Sequence, residues 1–189
     1  MYIHNSICVY CGSKSGENPV HARIARDLGK RIASEGLRLI FGGGSIGLMG
    51  ILADAVIDSG GEVIGIIPTK LNSPEVGHSR IKDLRIVDNM HERKQLMFNL
   101  SDAFICLPGG LGTLDEAFEI ITWKQLGYHN KPIVIIDSEN YWKNLFSLVE
   151  DIIEEGFADS KIKKLYSIVS KVDDVFPILR ESMKRSSEK

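Results

Sequence analysis

Three glycines within four residues, set between an apolar run and a helical pattern, constrain this chain more than any other feature. Phe104-Ile105-Cys106-Leu107 reads as a buried strand, bounded by Pro108-Gly109. Beyond it, Leu114, Ala117, Phe118, Ile121 and Gln125/Leu126 fall at helical spacing. Between the two, Gly109, Gly110 and Gly112 let the backbone turn sharply with no Cβ in the way. A glycine turn from a strand's carboxyl end into a helix exposes free N–H groups and the positive end of the helix dipole. That is an anion site, most often for phosphate. Thr113 offers it a hydroxyl, and Asp115 and Glu116 are delivered to its rim.

The rest of the chain repeats the same alternation. Strands are expected at 6–11, 37–41, 62–67, 84–87 and 132–136, with a short edge strand at 166–169. Helices are expected at 19–34, 48–59, 91–101, from Leu114 to Gly127, at 141–155 and at 173–183, and 184–189 reads as a frayed tail. Thr69 to Lys82 is the longest stretch without a clear period. This rhythm implies an α/β class fold, a Rossmann-like three-layer αβα domain with a mainly parallel sheet, spanning 1–189 as one nucleotide-binding unit. In such sheets ligands bind beyond the carboxyl ends of the strands, where strand order reverses. The turns at Gly12-Ser13, Gly42 to Gly47 and Gly109 to Thr113 all follow strands, so they should converge on one edge.

Composition removes whole classes of function. With 23 basic and 25 acidic residues the formal net charge is −2, which gives no electrostatic case for nucleic acid or an anionic membrane. No apolar run approaches a membrane span and Met1 to Asn5 lacks the order of a signal peptide, so a soluble cytoplasmic protein is expected. Cys8 and Cys11 form a C-x-x-C, but they lie within a strand, where residues three apart point to opposite faces; a redox or metal pair is not expected. His4, His21, His78, His91 and His129 show no ligand spacing, so no metal site is expected.

Gly42-x-Gly44-x-x-Gly47 matches the dinucleotide fingerprint between strand and helix, yet Pro68-Thr69-Lys70 stands where the ribose-binding acid belongs. A nucleotide phosphate or ribose loop is the better reading, and no Gly-Lys-Ser/Thr loop exists to suggest a triphosphatase. Glu116 has two readings. Thr113-x-x-Glu116 has the spacing of a capping box, with Thr113 as the cap and Glu116 reaching back to its N–H. Alternatively Glu116 is a reacting carboxylate. Arg93, in the first turn of its helix, sits where the dipole repels a cation, so something negative should compensate it.

Together these residues resemble the Lonely Guy (LOG) family. Pro108 to Glu116 is similar to its P-G-G-x-G-T-x-x-E signature, Cys11-Gly12-Ser13 to its first loop, and Gly42 to Gly50 to its second. Pro68-x-x-Leu71-x-x-x-Glu75, Met90-His91-Glu92-Arg93-Lys94 and Glu119-x-x-Thr122-Trp123 follow in the right order. Leu111 stands where plant members usually carry tyrosine. The resemblance implies a phosphoribohydrolase that cleaves the N-glycosidic bond of a nucleoside 5′-monophosphate, AMP or AMP with an N6 isoprenoid group, without a cofactor. It makes Arg93 and Glu116 the catalytic pair. It places Ser13, Gly43, Gly44 and Met49 of the first two loops around the nucleotide, with Glu75, Lys94, Gly109, Gly110, Leu111, Gly112, Thr113, Asp115 and Thr122. It also implies a homodimer with the Glu116 helix near the contact. The alternatives are a non-catalytic nucleotide sensor and an NAD(P)-linked oxidoreductase; the decarboxylase label once given to bacterial relatives has no lysine site in its favour.

Overall fold

The structure is a computed structural model that describes residues 6–73 and 77–187. Seven strands, all parallel, form one sheet in the order β4-β3-β2-β1-β5-β6-β7. They are β1 (Ser6–Tyr10), β2 (Arg38–Phe41), β3 (Glu62–Pro68), β4 (Asp83–Val87), β5 (Ala103–Cys106), β6 (Ile133–Ile136) and β7 (Ser167–Val169). Six helices connect or follow them: α1 (Pro19–Ser34), α2 (Gly47–Asp58), α3 (Met90–Leu100), α4 (Leu111–Gln125), α5 (Lys143–Glu154) and α6 (Val175–Ser187).

The central strands are buried along their whole length because both faces are covered. On one face Ile7, Val9 and Cys11 pack against Leu28 and Ile32 of α1, Leu52 and Val56 of α2, and Phe176 of α6. On the other, Cys8 and Tyr10 pack with Met97 of α3, Ala117 and Ile120 of α4, and Trp142 at the start of α5. The layers are therefore α, β, α. Cys8 and Cys11 fall on opposite faces, and both are free and buried. Burial pushes both thiols above the ordinary range, which leaves them inert.

Local chemistry sets the ends of α1. The Asn18 side chain accepts from the N–H of Val20, Pro19 opens the helix, and Gly36 closes it with φ of 68°. The chain walks from β1 outward to β4, then returns to lay β5 beside β1 and walks the other way. Strand order thus reverses between β1 and β5, and a crevice opens at their carboxyl ends.

Several segments differ from the sequence reading, including α4, which starts at Leu111 and not Leu114. The stretch after β3 is not wholly irregular: Thr69–Leu71 is a 3-10 turn, Gly77 bridges to Gly44, and the N–H of His78 donates to the Gly43 carbonyl at 3.1 Å. Helix α5 starts at Lys143 because the Asp137 carboxylate takes the N–H of Trp142 at 2.8 Å. The last helix begins at Val175, two residues later than expected, and runs through Ser187; 188 and 189 lie outside the described residues. No helix among the described residues is long and apolar enough to cross a membrane.

Candidate active site

The three glycine turns meet at the β1/β5 crevice. The N–H of Gly12 donates to the Pro108 carbonyl at 3.0 Å, and the N–H of Leu48 donates to the Gly12 carbonyl at 3.1 Å. Gly47, at φ of 64°, lies directly against the Ser13 backbone, where any side chain would collide. A cleft of about 390 Å³ opens between these turns, floored by Cys11, Gly42 and Ile67, and rimmed by Ile46, Leu71 and Met90.

Helix α4 points its N-terminus into this cleft. Its N-cap is Gly110, which has no side chain to cap with, so the N–H groups of Leu111, Gly112 and Thr113 have no acceptor within the helix. That start overturns the capping-box reading. Thr113 is already inside the first turn and buried, and Glu116 is one turn further in.

Glu116 instead meets Arg93. The Arg93 Nη2 lies 3.3 Å from Glu116 Oε1, and the two residues are only 9% and 7% exposed. Arg93 is fixed from behind, its Nε donating to the Ile66 carbonyl at 3.2 Å and its Nη1 lying 3.7 Å from the Met90 sulfur. Gly42 leaves the space this guanidinium fills; a Cβ there would overlap Nη2. The compensating charge that the position of Arg93 demanded is therefore Glu116. Burial pushes the Glu116 carboxyl up to about 7, against the pull of Arg93, with Asp115 adding to the rise. A carboxyl that titrates near neutrality in a cleft beside a phosphate-type cradle is suited to acid–base or electrostatic work.

The other expected residues divide. Ser13, Gly44, Met49, Gly110, Leu111, Gly112, Thr113 and Asp115 line the cleft with Arg93 and Glu116. Lys94 does not. Its Nζ lies 3.1 Å from Asp115 Oδ2 and 3.1 Å from Glu119 Oε1, pinning α3 to α4. Gly43, at φ of 74°, packs against Ile67 and Leu84 behind the cleft. Gly109 lines a smaller adjoining hollow of about 170 Å³, with His21 and Tyr141. Thr122 is exposed, six residues beyond Glu116 and so roughly 9 Å further along α4, outside the cleft. Glu75 lies outside the described residues.

Sequence reasoning placed Gly42 in a nucleotide loop and Met90 in a family motif but missed their contacts with Arg93, and it missed the Ile66 carbonyl and Tyr141 altogether. Among the described residues no group of three or more His, Cys, Asp or Glu could hold a metal ion.

Comparison with known proteins gives the family and the fold. A family model described as "Possible lysine decarboxylase" matches residues 49–179. A cytokinin riboside 5′-monophosphate phosphoribohydrolase of Rhodococcoides fascians is 40% identical over 93% of this chain and 89% of its own. One of Arabidopsis thaliana is 43% identical over 96% of this chain and 81% of its own. A probable one of Oryza sativa subsp. japonica is 42% identical over 94% and 77%. Among solved structures, the molybdenum cofactor binding protein of the phototrophic bacterium Rippkaea orientalis superposes with a TM-score of 0.74, over 97% of this chain and 99% of its own, at 21% identity. The molybdenum cofactor carrier protein of Chlamydomonas reinhardtii gives 0.71 over 95% and 98%, at 20% identity. At that identity the likeness is one of fold.

Proposed function

Since this chain belongs to the LOG family of cytokinin riboside 5′-monophosphate phosphoribohydrolases, we propose that its cleft binds AMP or an N6-isoprenoid AMP, with Arg93 and Glu116 acting at the glycosidic bond. The enzyme is a hydrolase of nucleotide N-glycosidic bonds. Water adds to the ribose C1′, the C1′–N bond breaks, a proton from water ends on the leaving base, and ribose 5-phosphate remains.

The observation that carries the assignment is the buried Arg93–Glu116 pair beside the uncapped N-terminus of α4. The 5′-phosphate sits on the N–H groups of Gly110 to Thr113, with Ser13 opposite. This remote grip holds C1′ against Glu116. Ionised Glu116 stabilises the oxocarbenium character that develops at C1′ and aims the water, work worth ~10²–10⁴-fold. Arg93 keeps Glu116 ionised and meets negative charge growing on the departing base. Met49, Leu71, Met90 and Leu111 give the far end an apolar lining suited to a purine and its N6 substituent. No lysine lines the cleft among the described residues, which argues against a decarboxylase built on a lysine Schiff base.

The reading extends to a cytoplasmic homodimer. Leu111, Phe118 and Leu126 are 85%, 39% and 64% exposed along α4, an apolar stripe that a second copy would cover. Thr122 lies on the same side, where a residue serving the other copy's cleft would stand. Light scattering should give twice the chain mass, and a monomeric mass contradicts this part.

A chromatographic screen of AMP, isopentenyl-AMP, GMP and CMP tests the function. Free adenine or N6-isopentenyladenine accumulating with ribose 5-phosphate is the expected result. Tight nucleotide binding with no released base would leave a sensor and refute the catalytic reading.

A further inference from the structure

Tyr141 lies between β6 and α5, far in sequence from the glycine turn, yet its hydroxyl donates to the Gly109 carbonyl at 2.7 Å. Its ring is held edge-on by His21, with centroids 5.4 Å apart, and by Trp142 at 4.8 Å. The two residues before it, Glu139 and Asn140, have φ of 56° and 54°, a region non-glycine residues seldom occupy. A strained turn therefore delivers this hydroxyl.

Its target is not an isolated acceptor. The Gly109 carbonyl and the Gly110 N–H belong to one planar trans peptide, so they point in opposite directions. Flanked by two glycines, that plane has no side chain to set its orientation. Gly110 borders both the hollow that contains Tyr141 and the main cleft. With the oxygen drawn into the hollow, the N–H is turned toward the cleft. A hydrogen bond to the carbonyl also polarises the peptide and makes its N–H a better donor.

We infer that Tyr141 is a positioning residue that fixes the Gly109–Gly110 peptide so that the Gly110 N–H serves the substrate's phosphate. The inference rests on the phosphate-cradle reading above. It explains why a residue outside the glycine signature contacts the one Gly–Gly peptide in it.

Tyr141→Phe keeps the ring and removes only the hydroxyl, so the melting temperature should stay within a few degrees of wild type. Calorimetric titration with ribose 5-phosphate should show a dissociation constant about three- to tenfold higher in the variant, the range of one net hydrogen bond. Adenosine, which has no phosphate, should bind both proteins equally. With AMP as substrate, KM should rise by the same factor and kcat stay within about twofold. Unchanged ribose 5-phosphate affinity overturns the inference, as does equal weakening of ribose 5-phosphate and adenosine, which would signal general loosening. So does a wild type that fails to bind ribose 5-phosphate. If wild type binds ribose 5-phosphate but releases no base from AMP, the catalytic reading fails while the titration still decides the role of Tyr141.

Discussion

Arg93 and Glu116 face each other at the base of the cleft, Nη2 3.3 Å from Oε1, with almost no exposure to solvent. A buried ion pair of this kind is weak evidence for stability, because desolvation offsets most of the attraction. On the reading proposed above its use is chemical: burial raises the carboxyl to about 7 and Arg93 opposes that rise, beside an anion cradle.

Replacing Glu116 by Gln separates charge from shape. Base release should fall by at least about 100-fold, since an amide cannot offset a cation at C1′. Stability should not fall. The carboxyl ionises near 4.5 ordinarily and at about 7 in the fold, so between those values the folded protein holds a proton that the unfolded chain has lost. The stability this confers is complete below about pH 4.5 and is lost as pH rises through 7. Gln is neutral throughout, so the variant's melting temperature relative to wild type should increase from pH 5 to pH 8. A variant that melts lower at pH 8 than wild type would refute this account of Glu116.

The same protonation governs rate. The kcat/KM profile should lose activity as pH drops below about 7, with a one-proton limb, because burial raises the Glu116 carboxyl and the ionised form is the working one. A limb near pH 4.5 would mean the carboxyl is solvated in the active enzyme.

Gly42→Ala tests the space behind Arg93. The new methyl overlaps Nη2, the far end of a flexible side chain, so the guanidinium can swing away and the fold survives. Melting should fall by only a few degrees, while base release falls tenfold or more. Full activity in the alanine variant would show that Arg93 need not stay where it is.

Lys94→Met distinguishes a tether from a substrate ligand. Loss of Lys94 frees Asp115 and Glu119 beside Glu116 and removes a cation that favours the ionised carboxylate, so the acid limb should move to higher pH. At pH 7 kcat should drop and recover at higher pH, with KM for AMP nearly unchanged. A several-fold rise in KM with the limb in place would instead put Lys94 on the phosphate.

What was legible in the sequence was local. Pro19 and Gly36 mark both ends of α1 because helix start and stop signals are written within a few residues of the backbone they serve. The misfit of Arg93 with the dipole called for a negative group without saying which, and the structure supplies Glu116. The capping box failed for a physical reason: the glycines let α4 begin at Leu111, two residues before Thr113 could become its cap, and the helical period then turned Glu116 inward. Gly42 against Arg93, and Tyr141 on Gly109, join elements distant in sequence, and no periodicity records such contacts.

The central claim is that a phosphate held by glycine amides places the glycosidic bond against Glu116. The most direct test is kcat/KM of the wild-type protein for AMP against adenosine, read as adenine released. The account predicts equimolar adenine and ribose 5-phosphate from AMP and a rate with adenosine at least about 100-fold lower. Equal turnover of the two would contradict it.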